Sequence, residues 1–177
     1  MVRRITTIVL SVSALAAAVA ATLTASPALY AWVVRPDGIG PVTVGMRLPA
    51  LNRVLLASFA IPKDADGRDC FYLTPPRHDD VEVMILHGLV ARVDVDSPLV
   101  STAENIHIGS SEDEVRKAYG ADLEVAPSHY DSDEGGKFLT YRPHKKHVVI
   151  RFETLDGKVQ RFYAGTDEAV QLVEGCS

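Results

Sequence analysis

The chain has 177 residues, of which 47% are apolar and 23% are charged, and its formal net charge is −5. This length suits one domain or two small ones, and it is enough chain to bury a core. The composition excludes wholesale disorder. Eighteen basic residues against twenty-three acidic ones argue against a nucleic-acid-binding protein, because such proteins usually carry a basic excess.

Residues 1–31 have the pattern of a secretory signal peptide. Arg3 and Arg4 are followed by an uncharged, alanine-rich stretch over residues 5–23 and then by small residues. We expect cleavage after Ala28 or Ala31 and export to the periplasm or the extracellular medium of a bacterial cell. The alternative is an uncleaved anchor, since the uncharged stretch is just long enough to span a bilayer. Cleavage after Ala31 leaves residues 32–177, with sixteen basic and twenty-three acidic side chains and a net charge of −7.

The two cysteines, Cys70 and Cys176, both lie after the predicted signal peptide. An even number of cysteines in an oxidising compartment favours a disulfide over two free thiols. The loop between them covers most of the exported chain, so closing it would contribute about 4–5 kcal/mol in the chain-entropy model.

The chain after Ala31 contains an internal repeat. Three blocks recur in the same order with small insertions between them: 42–51 with 106–115, 72–74 with 138–140, and 86–93 with 155–162. The pattern predicts two tandem units over residues 32–100 and 101–177, joined by a connector at residues 97–105.

Each predicted unit begins with a short extended run, a glycine and a helix. In the second unit Ser110 or Ser111 can cap the helix, carboxylates fill its first turn, and Gly120 can end it. In the first unit Pro49 suits an early helical position, and Leu51 begins an apolar face with helical spacing.

Strands follow each predicted helix, with tight turns predicted at His87-Gly88 and Asp156-Gly157. We predict strands over residues 70–74, 81–86, 89–96, 138–141, 147–153, 158–164 and 169–173. Residues 93–96 alternate strictly between valine and aspartate, which predicts one buried and one solvated face. The fold class is therefore α+β: two tandem repeats, each a short helix packed on an antiparallel β-meander.

At this level the sequence resembles a known group of exported modules. Residues 106–115, Tyr119-Gly120 and the late hairpin at 157–159 are similar to the helix-plus-meander modules of β-lactamase-inhibitor proteins and of SmpA/BamE lipoproteins, which often occur in tandem. The resemblance covers about residues 38–176. It implies a protein-binding or scaffold module rather than a catalyst.

The sequence offers no complete active site, and we predict no catalytic residue, metal ligand or cofactor. The strongest chemical candidate is the loop at residues 129–134, where His129, Asp131 and Asp133 are close in sequence. Asp131 and Asp133 match the first two ligands of a calcium loop, but the twelfth position holds Arg142 instead of glutamate. A small secreted hydrolase or a weak calcium-binding protein using this loop is therefore the alternative function.

Aromatic residues on the predicted strands favour binding instead. A helix covers only one face of a sheet, so we expect outward-facing tyrosines on the other face to contact a protein partner or an envelope component. The same side chains could equally pack as core. The predicted binding residues are Tyr72, Tyr130, Asp131, Asp133, Tyr141 and Tyr163. We expect a monomer that binds no nucleic acid and has no stable membrane insertion after cleavage.

Overall fold

The computed structural model describes residues 32–62, 70–130, 132–144 and 147–176, so the predicted signal peptide lies outside the described residues. The strands are β1 (Val33–Arg35), β2 (Gly38–Ile39), β3 (Val42–Thr43), β4 (Cys70–Leu73), β5 (Val81–Leu86), β6 (Leu89–Val95), β7 (Ser101–Thr102), β8 (Leu123–Pro127), β9 (Lys137–Tyr141), β10 (Val148–Leu155) and β11 (Lys158–Thr166). The helices are α1 (Leu48–Leu55), α2 (Glu112–Tyr119) and α3 (Asp167–Gln171), with 3₁₀ turns at Gly120–Asp122 and Ser132–Glu134. The α+β class predicted from the sequence is confirmed.

Seven strands form one antiparallel sheet in the order β4-β5-β6-β11-β10-β9-β8. The meander β4-β5-β6 and the meander β8-β9-β10-β11 meet where β6 pairs with β11. At this junction Gly165 is opposite Arg92, and a Cβ at residue 165 would lie 2.2 Å from the carbonyl oxygen of Ala91. The close approach of the two central strands therefore requires a glycine there.

The two central hairpins have the same turn. His87 and Gly88 join β5 to β6 with φ angles of 52° and 76°, and Asp156 and Gly157 join β10 to β11 with φ angles of 51° and 72°. Each hairpin also contains a register shift a few residues from its turn. The predicted tight turns are therefore confirmed.

Helices α1 and α2 begin in the same way against these hairpins. The N–H of Gly45 donates to the carbonyl of Val90, and the N–H of Gly109 donates to the carbonyl of Val159, both at 2.8 Å. Ser111 caps α2: its hydroxyl accepts from the N–H of Glu114, whose carboxylate accepts from the N–H of Ser111. This reciprocal capping box satisfies amide groups that a helix start otherwise leaves open.

The core lies on one face of the large sheet, which we call the first face. Val83 of β5 and Phe162 of β11 point there and pack with Leu51 of α1 and Val115 of α2, all fully buried. A small sheet in the order β3-β2-β1-β7, with β1 and β7 parallel, adds Val34 to the same core. The sequence pattern did not predict this sheet, and the predicted connector at residues 97–105 contains one of its strands.

The C-terminal segment differs from the prediction. Residues 169–173 were predicted as a strand, and this was wrong: residues 167–171 form α3. The hydroxyl of Thr166 accepts from the N–H of Ala169, and Asp167 and Glu168 occupy the first turn, where carboxylates favour a helix start. Helix α3 packs with Met84 on the opposite face of the sheet, which we call the second face. Among the described residues, no helix has the length and apolar character to cross a membrane.

Candidate functional site

An open cleft of about 290 Å³ lies on the second face, between the centre of the sheet and the C-terminal tail. Strands β4, β5, β6 and β11 form one side and residues 173–175 form the other. The side chains that line it are mostly charged: Glu82, Arg92, Asp94, Asp96, Arg161 and Glu174, with Tyr72. This cleft is the candidate functional site.

Arg92 and Asp94 form the floor of the cleft. They point to the same face because they are two residues apart on β6. The Nε and one Nη of Arg92 each donate to a carboxylate oxygen of Asp94 at 3.0 Å, and the guanidinium carbon lies 4.6 Å from the centre of the Tyr163 ring. Burial raises the pKa of Asp94, and the guanidinium of Arg92 opposes that rise. The face of residues 93–96 that was predicted to be solvated is therefore largely buried at Asp94, because the tail covers it.

Tyr72 lies between this ion pair and the tail. Its hydroxyl oxygen accepts a hydrogen bond from Arg92 at 2.6 Å, and burial is the main reason that its pKa rises to about 12. Gly175 lies against the ring: its φ is 67°, and a Cβ there would be 2.6 Å from the tyrosine oxygen. A larger residue at 175 would therefore push the tail off the cleft.

Arginine side chains hold the end of α3, and a disulfide holds the tail beyond it. Arg92 donates to the carbonyls of Ala169 and Leu172 at 2.9 and 2.7 Å, and Arg151 donates to the carbonyl of Val170 at 2.9 Å. These guanidinium groups satisfy carbonyls at the end of α3, which a helix C-terminus leaves open. Beyond the helix, the predicted disulfide between Cys70 and Cys176 is present, with the two Cα atoms 5.4 Å apart.

The rim of the cleft carries more negative than positive charge. Arg92 is neutralised by Asp94, and Arg161 lies 3.5 Å from a carboxylate oxygen of Glu153 outside the cleft. The carboxylates of Glu82, Asp96 and Glu174 also line the opening. The cleft therefore suits a partner group that is cationic or that donates hydrogen bonds.

The structure brings only some of the predicted binding residues to this site. Tyr72 lines the cleft, and the hydroxyl of the exposed Tyr130 donates a hydrogen bond to Glu174 on the tail. Asp133 is exposed in the 3₁₀ turn of the same loop as Tyr130, and Asp131 lies outside the described residues. Two of the predicted binding residues, Tyr72 and Tyr130, therefore lie at the cleft or against its tail.

Two predicted binding residues pack within the molecule instead of pointing outward. Tyr163 lies on the second face, but it is only 1% exposed because Arg92 covers its ring and Glu153 accepts from its hydroxyl. Tyr141 packs towards the first face, with its ring 4.4 Å from that of Tyr119. The prediction that both aromatics point outward was wrong, since Arg92 and Val170 of α3 cover Tyr163, and Tyr141 packs against the core.

The loop at residues 129–134 has no assembled chemistry among its described residues. His129 packs edge-on against Phe138, with ring centres 5.4 Å apart. In the part of the chain that the structure describes, no three histidine, cysteine, aspartate or glutamate side chains are grouped to hold a metal ion. Nothing in this geometry favours the hydrolase or the calcium site over binding.

The sequence analysis missed all the charged residues that line the cleft, which are Glu82, Arg92, Asp94, Asp96, Arg161 and Glu174. The signal for Arg92 and Asp94 is a pair of opposite charges two residues apart in an otherwise apolar strand, where a buried charge demands a partner. Glu174 gave no local signal, because its place depends on the disulfide two residues later.

Comparisons of the chain with protein-family models, with curated proteins and with solved structures found no match.

Proposed function

We propose that this chain is an exported, non-catalytic binding protein that contacts a protein or envelope component through the second face of its sheet. The observation that carries the proposal is the charged cleft built on the buried Arg92–Asp94 pair. A floor fixed in this way loses little conformational entropy when a partner binds. Its exposed rim of unlike charges supplies orientation and selectivity.

Export is supported by two independent features. Residues 1–31 have the order of a signal peptide, and a disulfide with a sequence separation of 106 joins two distant parts of the remaining chain. Disulfides persist in the periplasm and outside the cell, whereas cytosolic thiols are kept reduced. We therefore place the protein in the periplasm or the extracellular medium.

A tandem duplication is also part of the proposal. The contacts Gly45–Val90 and Gly109–Val159, the bridges Arg47–Leu89 and Ser111–Lys158, and both hairpin turns occupy positions that the sequence repeat pairs with each other. Duplication explains why two helix-plus-meander units share one sheet. The resemblance to β-lactamase-inhibitor and SmpA/BamE modules suggests the same role, which is binding by a rigid sheet.

Photo-crosslinking in the exporting cell tests the function. A photoreactive amino acid is placed at Glu82 or Asp96 on the rim, and at Asp113 on the exposed side of α2 as the matched control. We expect both rim positions to give the same crosslinked partner and the control to give none. Charge reversal by Glu82→Lys with Asp96→Lys should remove the partner crosslink of a probe at Arg161, while the free energy of unfolding stays within about 0.5 kcal/mol.

Two outcomes contradict the proposal. One is the absence of any partner crosslink from the rim. The other is a partner that crosslinks equally well to Asp113, because that partner would not recognise the cleft.

A further inference from the structure

A second surface, on the other side of the molecule, lies at the end of α1. Residues 54–62 contain no charged side chain, yet Val54, Leu56, Ser58, Ala60 and Ile61 are all exposed. Leu56 is 93% exposed and Ile61 is 66% exposed. Three large apolar side chains, Val54, Leu56 and Ile61, are thus exposed within eight residues. Because this is more than the isolated exposed apolar residues of an ordinary soluble domain, we call residues 54–61 the apolar ridge and ask what covers it.

The apolar ridge is held in place. The side-chain amide of Asn52 donates to the carbonyl of Phe59 at 2.9 Å, and its oxygen accepts from the N–H of Phe59 at 2.8 Å. The ring of Phe59 packs against the core. Leu56 and Ile61 therefore lie before and after a residue that is fixed in place.

Leu56 has a backbone conformation that leucine disfavours. Its φ is 50°, in the left-handed region, and the residue at the same place after α2 is Gly120 with a φ of 58°. Glycine is the usual choice there, because a side chain in this region is strained. The part of the chain that the structure describes gives Leu56 little compensating contact, since its side chain is almost fully exposed.

The two helices provide an internal comparison of outer faces. The exposed side of α2 carries Asp113, Glu114, Arg116 and Lys117, an ordinary solvated surface. From residue 47 to residue 62 the only charged side chains are Arg47 and Arg53, both exposed, and there is no carboxylate. Residues 47–62 thus carry two positive side chains and no negative one, in a chain whose net charge is −5.

We propose that α1 and the apolar ridge dock reversibly on the surface of an anionic phospholipid membrane. Leu56 and Ile61 would enter the acyl-chain boundary, and Arg47 and Arg53 would contact lipid phosphates. Two apolar side chains with two arginines give weak peripheral binding rather than insertion. Helix α1 packs on the first face and the cleft opens on the second, so the docked protein keeps its cleft free for a partner.

Vesicle sedimentation tests this proposal with the chain from Trp32 to Ser177, which contains the whole described core and the disulfide. The vesicles are phosphatidylcholine alone, or phosphatidylcholine mixed equally with phosphatidylglycerol. We expect binding to the mixed vesicles that weakens as salt is added, and much weaker binding to phosphatidylcholine. Leu56→Gly and Ile61→Ser should each weaken binding about tenfold, and Arg53→Gln should weaken it mainly at low salt.

Matched controls come from the second unit. Lys117→Gln changes the position of α2 that corresponds to Arg53 in α1, and Val125→Ser changes another exposed apolar side chain of the second unit; neither should alter vesicle binding. Glycine suits the left-handed backbone conformation at position 56, so Leu56→Gly should not destabilise the fold. An unchanged urea midpoint would show that a loss of binding does not come from unfolding. The proposal is overturned if neither vesicle binds, if both bind equally, or if Leu56→Gly binds as well as the parent. A protein partner with an acidic and apolar groove would then be the better candidate to cover the apolar ridge.

Discussion

Arg92 joins the second face of the sheet to the end of α3 through its hydrogen bonds. It is 1% exposed, and its donors reach Asp94, Tyr72 and the carbonyls of Ala169 and Leu172. A guanidinium can serve all four because its five N–H groups form a rigid planar fork, whereas an ammonium offers three rotating donors. The ion pair, the cleft floor and the end of α3 therefore depend on one side chain.

Replacing Arg92 tests this dependence. Arg92→Met should lower the free energy of unfolding by about 3–5 kcal/mol, because Asp94 is left buried without its counter-ion. Urea unfolding of the oxidised protein measures the change. The double variant Arg92→Met with Asp94→Asn should recover part of the loss, since it removes the orphaned charge.

Arg161 provides the control for Arg92. Its side chain is 44% exposed, so Arg161→Met should change stability by less than about 1 kcal/mol. Similar losses in the two single variants would show that the floor has no special role.

The ends of α1 and α2 show how closely the two helices correspond. The two helices are equal in length, both begin after an extended residue at an equivalent position, and both end at a residue with positive φ. They differ in chemistry: α2 has a capping box and a glycine, while α1 has neither. The sequence pattern predicted both helices because their apolar spacing is regular, with Pro49 marking the start of α1 and Ser111 and Gly120 marking the two ends of α2.

The two helix ends make a matched pair of substitutions. Leu56→Gly should leave the protein equally stable or raise the free energy of unfolding by up to about 1 kcal/mol, because strain is relieved and no buried contact is lost. Gly120→Ala should lower it by about 1–3 kcal/mol, since φ 58° with ψ −132° is accessible almost only to glycine. Thermal and urea unfolding measure both, and a destabilising Leu56→Gly would contradict the assignment of strain.

Other elements were not predictable from local patterns. Strands β1, β2, β3 and β7 are too short to show a period, and their pairing is decided by packing on α1 and α2. Strand β8 is largely exposed, so it lacks the alternation that marks half-buried strands. The central strands of the large sheet were predicted because they are short apolar runs bounded by turn residues, as strands buried on both faces are.

Glu112 shows the same limit at the level of a side chain. The sequence predicted Glu112 in the first turn of α2, where its negative charge would interact favourably with the helix dipole. In the structure it is 9% exposed and accepts from Lys137 and Thr154 on neighbouring strands. Burial alone would raise the pKa of Glu112, but these hydrogen bonds lower it. The ionised carboxylate therefore stabilises the fold, and this contribution is lost as the pH falls through the lowered pKa.

The molecule as a whole is closed by its C-terminal tail. The large sheet joins both meanders through β6 and β11, while the tail returns from the second meander to β4 at the edge of the first. The disulfide pairing was predictable from cysteine number and position. The cleft was not, because it forms between strands and a tail that are distant in sequence.

Removing the disulfide separates its contribution from that of the arginines. Cys176→Ser with Cys70→Ser should lower the free energy of unfolding by about 2–5 kcal/mol, because the unfolded chain regains the freedom that a loop of this length had lost. In hydrogen exchange, residues 173–176 should lose protection while α3 keeps it, since Arg92 and Arg151 still hold its carbonyls. Reduction of the parent protein is the parallel measurement, and it should give the same pattern. Loss of protection throughout α3 would contradict this division, because the tail would then be held by the covalent link alone.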